Sequence, residues 1–229
     1  MAWQQLTVPS GVPEDAMQHV QAFSSTDVWA VGTGTSATSG AAVATALNWN
    51  GMAWTQVATP VSTTNNLSIN AISGASGNDI WVAGETVTPG YHNRQFTSVL
   101  MHYNGSSWTQ MTAPDNSGLL DVDPVSPSDA WAIAADGSVL NWNGSWTVVT
   151  HLAQGNTAIA ALSPTDVWVA GVVSLTHYNG TSWTSSSLPA GVNALTGHAV
   201  LSSGHIWFSG YYYPSNAVTA PAVLSTSSG

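Results

Sequence analysis

Apolar residues in this chain fall in short runs separated by Ser, Thr, Asn, Asp, Gly and Pro. No stretch sustains the 3.6-residue period of an amphipathic helix. The runs read as strands, and several do not alternate. Val28-Trp29-Ala30-Val31 is apolar at both parities, whereas a strand with one wet face alternates. Apolar residues on both faces imply a sheet covered on both sides.

The runs recur. Asp27-Val28-Trp29-Ala30-Val31-Gly32 returns as Asp79-Ile80-Trp81-Val82-Ala83-Gly84, as Asp129-Ala130-Trp131-Ala132-Ile133-Ala134 and as Asp166-Val167-Trp168-Val169-Ala170-Gly171. A fifth copy is His205-Ile206-Trp207-Phe208-Ser209-Gly210. Each of the first four is followed by a second element: Asn48-Trp49-Asn50-Gly51, His102-Tyr103-Asn104-Gly105, Asn141-Trp142-Asn143-Gly144 and His177-Tyr178-Asn179-Gly180. Asn-Gly between apolar stretches is a hairpin signal, because both residues accept positive φ. Another Trp follows each turn: Trp54, Trp108, Trp146 and Trp183.

Every unit thus predicts four short strands. In the first they run near His19–Ser24, Val28–Thr33, Ala44–Trp49 and Ala53–Ala58. Repeats of this length, each a small antiparallel sheet needing cover on both faces, predict radial blades around an axis. The expected fold is all-β: a five-bladed β-propeller of four antiparallel strands per blade, one domain over residues 1–229. The fifth unit ends at a third strand, and Met1-Ala2-Trp3-Gln4-Gln5 matches the start of a fourth. The N-terminal segment through Pro9 is therefore expected to complete the last blade, closing the ring and removing free edges.

These motifs resemble a bacterial family of tandem propeller repeats, with four close copies and a divergent fifth. In architecture alone the chain is similar to tachylectin-type lectins. The resemblance speaks to the fold, and one fold hosts many functions.

Composition narrows the partners. Only 5% of residues are charged, the single Lys or Arg is Arg94, and the net charge is −10. Nucleic-acid binding rests on Lys and Arg neutralising phosphates, so that partner is excluded. Anionic membrane surfaces are disfavoured likewise, and no apolar run reaches the length of a membrane helix. There is no Cys, which removes disulfides and thiolate zinc sites. A Ser/Thr/Gly/Asn-rich, charge-poor surface suits a secreted or cell-surface bacterial module; no signal peptide is visible.

The repeated Asp at each tight turn is expected to accept neighbouring backbone N–H groups. The mid-strand Trp of each unit is expected to fill space between blades. Interchange of His102 and His177 with Asn48 and Asn141 fits a hydrogen-bonding role. Function is sought in the variable connections. From the glycine position to the third-strand aromatic position the gaps are 17, 19, 8 and 7 residues in units one to four, and 16 in unit five. Long connections in units five, one and two predict a raised rim. They carry Glu85, Tyr91, His92, Arg94, Tyr211, Tyr212 and Tyr213, an aromatic and hydrogen-bonding candidate site.

Asp121 and Asp123 lie two apart on one strand, so their carboxylates share a face. With Asp115 nearby, they could begin a calcium site. His198 stands where Val20, Ile72, Val122 and Ile159 stand in the other units, and a polar residue in an apolar slot needs a partner.

Glycosidases place two acids across a bound sugar, whereas Glu is confined to Glu14 and Glu85 and most Asp belong to repeated turns. No nucleophile elbow or zinc-protease helix motif appears. The reading is a non-catalytic module binding a glycan or a protein surface. Lectin-like carbohydrate binding leads, a protein-interaction module of a larger extracellular protein follows, and a glycosidase comes third.

Overall fold

The computed structural model describes residues 5–12, 17–89, 94–201, 204–212 and 220–225. Among these there are strands and turns and no helix. The chain divides into two compact units, Met1–Thr112 and Ala113–Gly229.

The first unit holds two sheets. One runs in chain order through β1 (Met17–Ser24), β2 (Asp27–Thr35), β3 (Ala42–Trp49) and β4 (Trp54–Val57), with the two-residue β5 (Ser62–Thr63) paired to the start of β3. The other comprises β6 (Asn66–Ser76), β7 (Asp79–Val87), β8 (Phe96–Tyr103) and β9 (Trp108–Gln110). The second unit holds three sheets. The first is β10 (Leu119–Ser126), β11 (Asp129–Ala134), β12 (Ser138–Trp142) and β13 (Trp146–His151). The next is β14 (Asn156–Ser163), β15 (Asp166–Gly171), β16 (Ser174–Tyr178) and β17 (Trp183–Ser187). The last is β18 (Val192–Val200), β19 (Ile206–Tyr212) and β20 (Ala220–Ser225). All pairing is antiparallel between consecutive strands, with β5 on β3 the one addition.

The repeated polar residues build the turns, with a division of labour the sequence did not reveal. At the first-to-second-strand turn, the hydroxyls of Ser24, Ser76, Ser126 and Ser163 accept the backbone N–H two residues on, at 3.1–3.3 Å. That satisfies the donors assigned above to Asp. The aspartates instead reach across to the third strand. Asp27 accepts from Asn48 Nδ2 at 3.2 Å, Asp79 pairs with His102 Nε2 at 2.6 Å, and Asp166 with His177 Nε2 at 2.9 Å. In the third sheet the pattern departs: Asn141 Nδ2 donates to the Ala130 carbonyl at 3.2 Å, and Asp129 Oδ1 is buried without a hydrogen-bond partner. At the next turn the Asn50, Asn104 and Asn179 amide oxygens each accept two backbone N–H groups at 3.0–3.1 Å. The following glycines, such as Gly51 at φ +92° and Gly105 at φ +88°, occupy a region that side chains disfavour.

The tryptophans order the core. In the first unit Trp29, 2% exposed, lies 4.6 Å from the Tyr103 ring and 5.7 Å from Trp108. In the second unit Trp131 meets Tyr178 and Trp183 at 5.8 and 6.1 Å. The same device operates twice: the second-strand Trp of one sheet packs on the aromatic pair flanking the next sheet's Asn-Gly turn. Trp81 and Trp168 also stack on His102 and His177 of their own sheets, at 4.1 and 4.0 Å. Trp207 departs from the expectation, being 45% exposed. Its register partners place Trp207, Ser209, Val223 and Ser225 on one face, and that face is largely exposed. The opposite face, with Phe208 and Leu224, packs against the cluster of Ala158, Ala160 and Ala170.

The last sheet has three strands among the described residues. Residues 5–9, part of the N-terminal segment expected to complete it, form no strand, nor do residues 10–12. Residues 1–4, including Trp3, lie outside the described residues, as do 226–229.

Candidate functional site

Long connections in the first two sheets prove to be partly sheet. β7 and β8 pair beyond the common length through Glu85–Ser98, Thr86–Thr97 and Val87–Phe96. Thr88 N–H then donates to the Gln95 carbonyl at 3.0 Å. β6 follows them, with Ser68 opposite Glu85 and Asn66 opposite Val87. Glu85 is thus a strand residue rather than a loop residue. Its polar neighbours suggested a loop, but a ladder is held by backbone groups that polar side chains leave free.

Directly opposite residues in a sheet share a face. One face of this extension therefore presents Ser68, Glu85 and Ser98, and two positions further Asn66, Val87 and Phe96. Phe96 is 41% exposed. Burial pushes the Glu85 carboxyl above the usual carboxylate range. Arg94 is exposed, two residues before Phe96. Among the described residues no ion pair joins Arg94 to Glu85. Phe96 was not singled out in the sequence, because its role depends on the register that sets it beside Glu85.

Tyr211 and Tyr212 lie in the second unit, also on a strand rather than in a loop, opposite Pro221 and Ala220. Tyr211 is half-buried. Tyr91, His92 and Tyr213 lie outside the described residues.

A second cluster lies within the second unit, on first strands. Asp121 Oδ2 accepts the Ile159 N–H at 2.9 Å, and Asp123 Oδ2 accepts the Ala161 N–H at 2.8 Å. Asp121 Oδ1 takes the Val122 N–H at 2.9 Å. The Ile159 and Ala161 bonds satisfy outward donors of β14, the first strand and open edge of its sheet, while the Val122 N–H belongs to β10 itself. His198 of β18 completes the group, with Nδ1 3.2 Å from Asp121 Oδ2 and Nε2 3.8 Å from Asp123 Oδ2. Burial would lower the His198 pKa, but the Asp121 hydrogen bond and the charges of Asp121 and Asp123 outweigh it, raising the value to about 9. The calcium expectation placed these carboxylates together with Asp115. Asp115 instead holds Ser117 at 2.7 Å from its N–H and 2.6 Å from its Oγ, and Ser138 Oγ at 3.2 Å. Among the described residues no group of three or more His, Asp or Glu is placed to hold a metal ion. The partner demanded for His198 is thus the Asp121–Asp123 pair, which neither short motif nor local spacing could announce.

No protein-family model matches the chain, and no curated protein resembles it by sequence. Solved structures do resemble it. A GH74 xyloglucanase from Xanthomonas campestris superposes with a TM-score of 0.60 at 15% identity, over 93% or more of this chain like the others named here, here 98%, and 37% of its own. YCF48 bound to D1 peptide gives 0.56 at 13% identity, over 93% of this chain and 67% of its own. YCF48 from Cyanidioschyzon merolae gives 0.54 at 13%, over 97% and 75%. These neighbours are β-propellers, and together with the repeated antiparallel sheets they give this chain the β-propeller fold.

Proposed function

We propose that the chain is a non-catalytic binding module that takes a neutral glycan on the Glu85–Phe96 face of the second sheet, with Arg94 at its margin. One observation carries the reading. With the exception of Asp129, every described aspartate has an internal hydrogen-bond partner. Glu85 also forms no such bond among the described residues, and unlike the buried Asp129 Oδ1 it lies on one face with an exposed aromatic ring. Aromatic faces stack on sugar rings, while a carboxyl fixes sugar hydroxyls. Two opposed acids for glycoside hydrolysis are not offered by a lone Glu85. The finer architecture belongs to the same proposal: five blades, the last completed by the N-terminal segment, at the cell surface or outside the cell.

The test is isothermal titration with a glycan hit, comparing Phe96→Ala and Glu85→Gln. We expect at least tenfold weaker binding for Phe96→Ala. Undiminished affinity in both variants would remove the site. Hydrolysis of the hit that disappears in Glu85→Gln would instead favour a glycosidase.

A protein-docking reading draws on the exposed face of Trp207 and Val223. Among the structural neighbours, YCF48 was solved with a bound peptide. Loss of a protein partner on Trp207→Ser, with glycan binding absent, would favour it.

A further inference from the structure

We infer that His198 is the built-in counter-cation of the Asp121–Asp123 pair, a clasp that ties the first strands of three consecutive sheets and opens when the imidazole loses its second proton.

The argument is geometric. Both ring nitrogens face carboxylate oxygens, at 3.2 and 3.8 Å. The shorter distance allows a hydrogen bond, and the longer is a charge contact. A neutral imidazole carries one N–H and one lone pair, so either tautomer would aim a lone pair at a carboxylate. Only the imidazolium suits both neighbours. The three side chains are largely buried, at 10–14% side-chain exposure, where an uncompensated carboxylate is costly. With His198 charged, the trio carries one net negative charge, further dispersed by the Ile159, Ala161 and Val122 N–H donors.

The linkage is what sets this group apart from the repeated Asp–His pairs, which stay within one sheet. Asp121 and Asp123 come from β10, the Ile159 and Ala161 N–H groups from β14, and the imidazole from β18. Replacements at three repeat positions meet here. Asp121 stands where other first strands have His19, Ala71, Ala158 and Gly197. Asp123 stands where they have Gln21, Ser73, Ala160 and Ala199. His198 takes an otherwise aliphatic position. The carboxylates answer β14 donors, and the imidazole answers the carboxylates.

No other ionisable group acts on His198 among the described residues. β14 has none. On β15, Asp166 is engaged by His177 and by the Trp168 indole at 2.9 Å. On β19, Tyr211 and Tyr212 stand three and four positions beyond Phe208, the register partner of His198. The charges that raise its basicity are those of Asp121 and Asp123.

A cation already in place leaves no role for calcium, and this separates the clasp from the metal reading of the same carboxylates. The test uses the full chain at pH 7. Long-range proton–nitrogen NMR of the histidine rings is expected to show both His198 nitrogens protonated. Millimolar calcium is expected to leave the melting temperature of the unaltered protein unmoved. His198→Asn, which removes the charge but keeps a polar side chain, is expected to melt lower and to regain part of the loss with calcium. A neutral His198 ring at pH 7 would overturn the clasp. So would calcium stabilisation of the unaltered protein that Asp121→Asn abolishes. The NMR readout stands even if the variant fails to fold.

Discussion

Replacing Trp29 by Ala should cost more than the same change at Trp207, although both occupy one position of the repeat. Trp29 is 2% exposed and packs on Tyr103 and Trp108. A buried indole hides roughly 150–250 Å², and at about 25 cal/mol/Å² this corresponds to roughly 4–6 kcal/mol. Measured Trp-to-Ala changes in cores fall at about 3–5 kcal/mol, so about 4 kcal/mol is expected. Trp207 is 45% exposed, which leaves roughly half the buried area and about 2–3 kcal/mol as an upper figure, or about 2 kcal/mol on the scale that gives about 4 for Trp29. Urea unfolding followed by far-UV circular dichroism measures both. With a slope of about 2 kcal/mol/M, Trp29→Ala should lower the midpoint of the affected transition by about 2 M, and Trp207→Ala by about 1 M. Transitions should be fitted separately if the two compact units unfold apart. Equal losses would refute the reasoning, because they would mean that repeat position rather than local environment sets the energy.

Stability should also fall at alkaline pH. The His198 pKa rises from 6.5 to about 9 on folding, so its contribution is complete below pH 6.5, declines between 6.5 and 9, and is gone above. At about 1.36 kcal/mol per pH unit the contribution is at most about 3 kcal/mol, and His198→Val should flatten that limb of a denaturation series. Among the Asp–His pairs, Asp79→Ala should destabilise by about 3–5 kcal/mol because it strips a buried partner, whereas Asp166→Ala, at a 41% exposed side chain, should cost about 1 kcal/mol or less; thermal melts of the two variants decide it. Gly84→Ala should lower stability by about 1–3 kcal/mol, since an added Cβ would lie 2.2 Å from the Ser68 carbonyl oxygen. A melting temperature equal to that of the parent would show that β6 yields freely.

The strands and their order were legible because the repeat supplies its own alignment: Asp-x-Trp and Asn-Gly fix two of three turns in each of the first four sheets. The exchange of Asn48 and Asn141 with His102 and His177 also pointed correctly to hydrogen bonding. What escaped was contact that the repeat does not encode. Glu85, Tyr211 and Tyr212 looked like loop residues because strand extension depends on backbone pairing, and the side chains there are not uniformly apolar. Asp121, Asp123 and His198 were visible as departures from the repeat, but not as one group. His198 lies more than seventy residues from the carboxylate pair, and only the packing of β10, β14 and β18 brings it to them. Trp207 looked like its repeat partners, and its exposure follows from what covers the sheet, not from its own strand.

The most direct test of the binding proposal is a glycan array probed with the full chain, with calcium and then with chelator. The account predicts saturable binding to an uncharged glycan that chelator leaves unchanged and Phe96→Ala abolishes. A blank array, or a hit indifferent to Phe96→Ala, would contradict it.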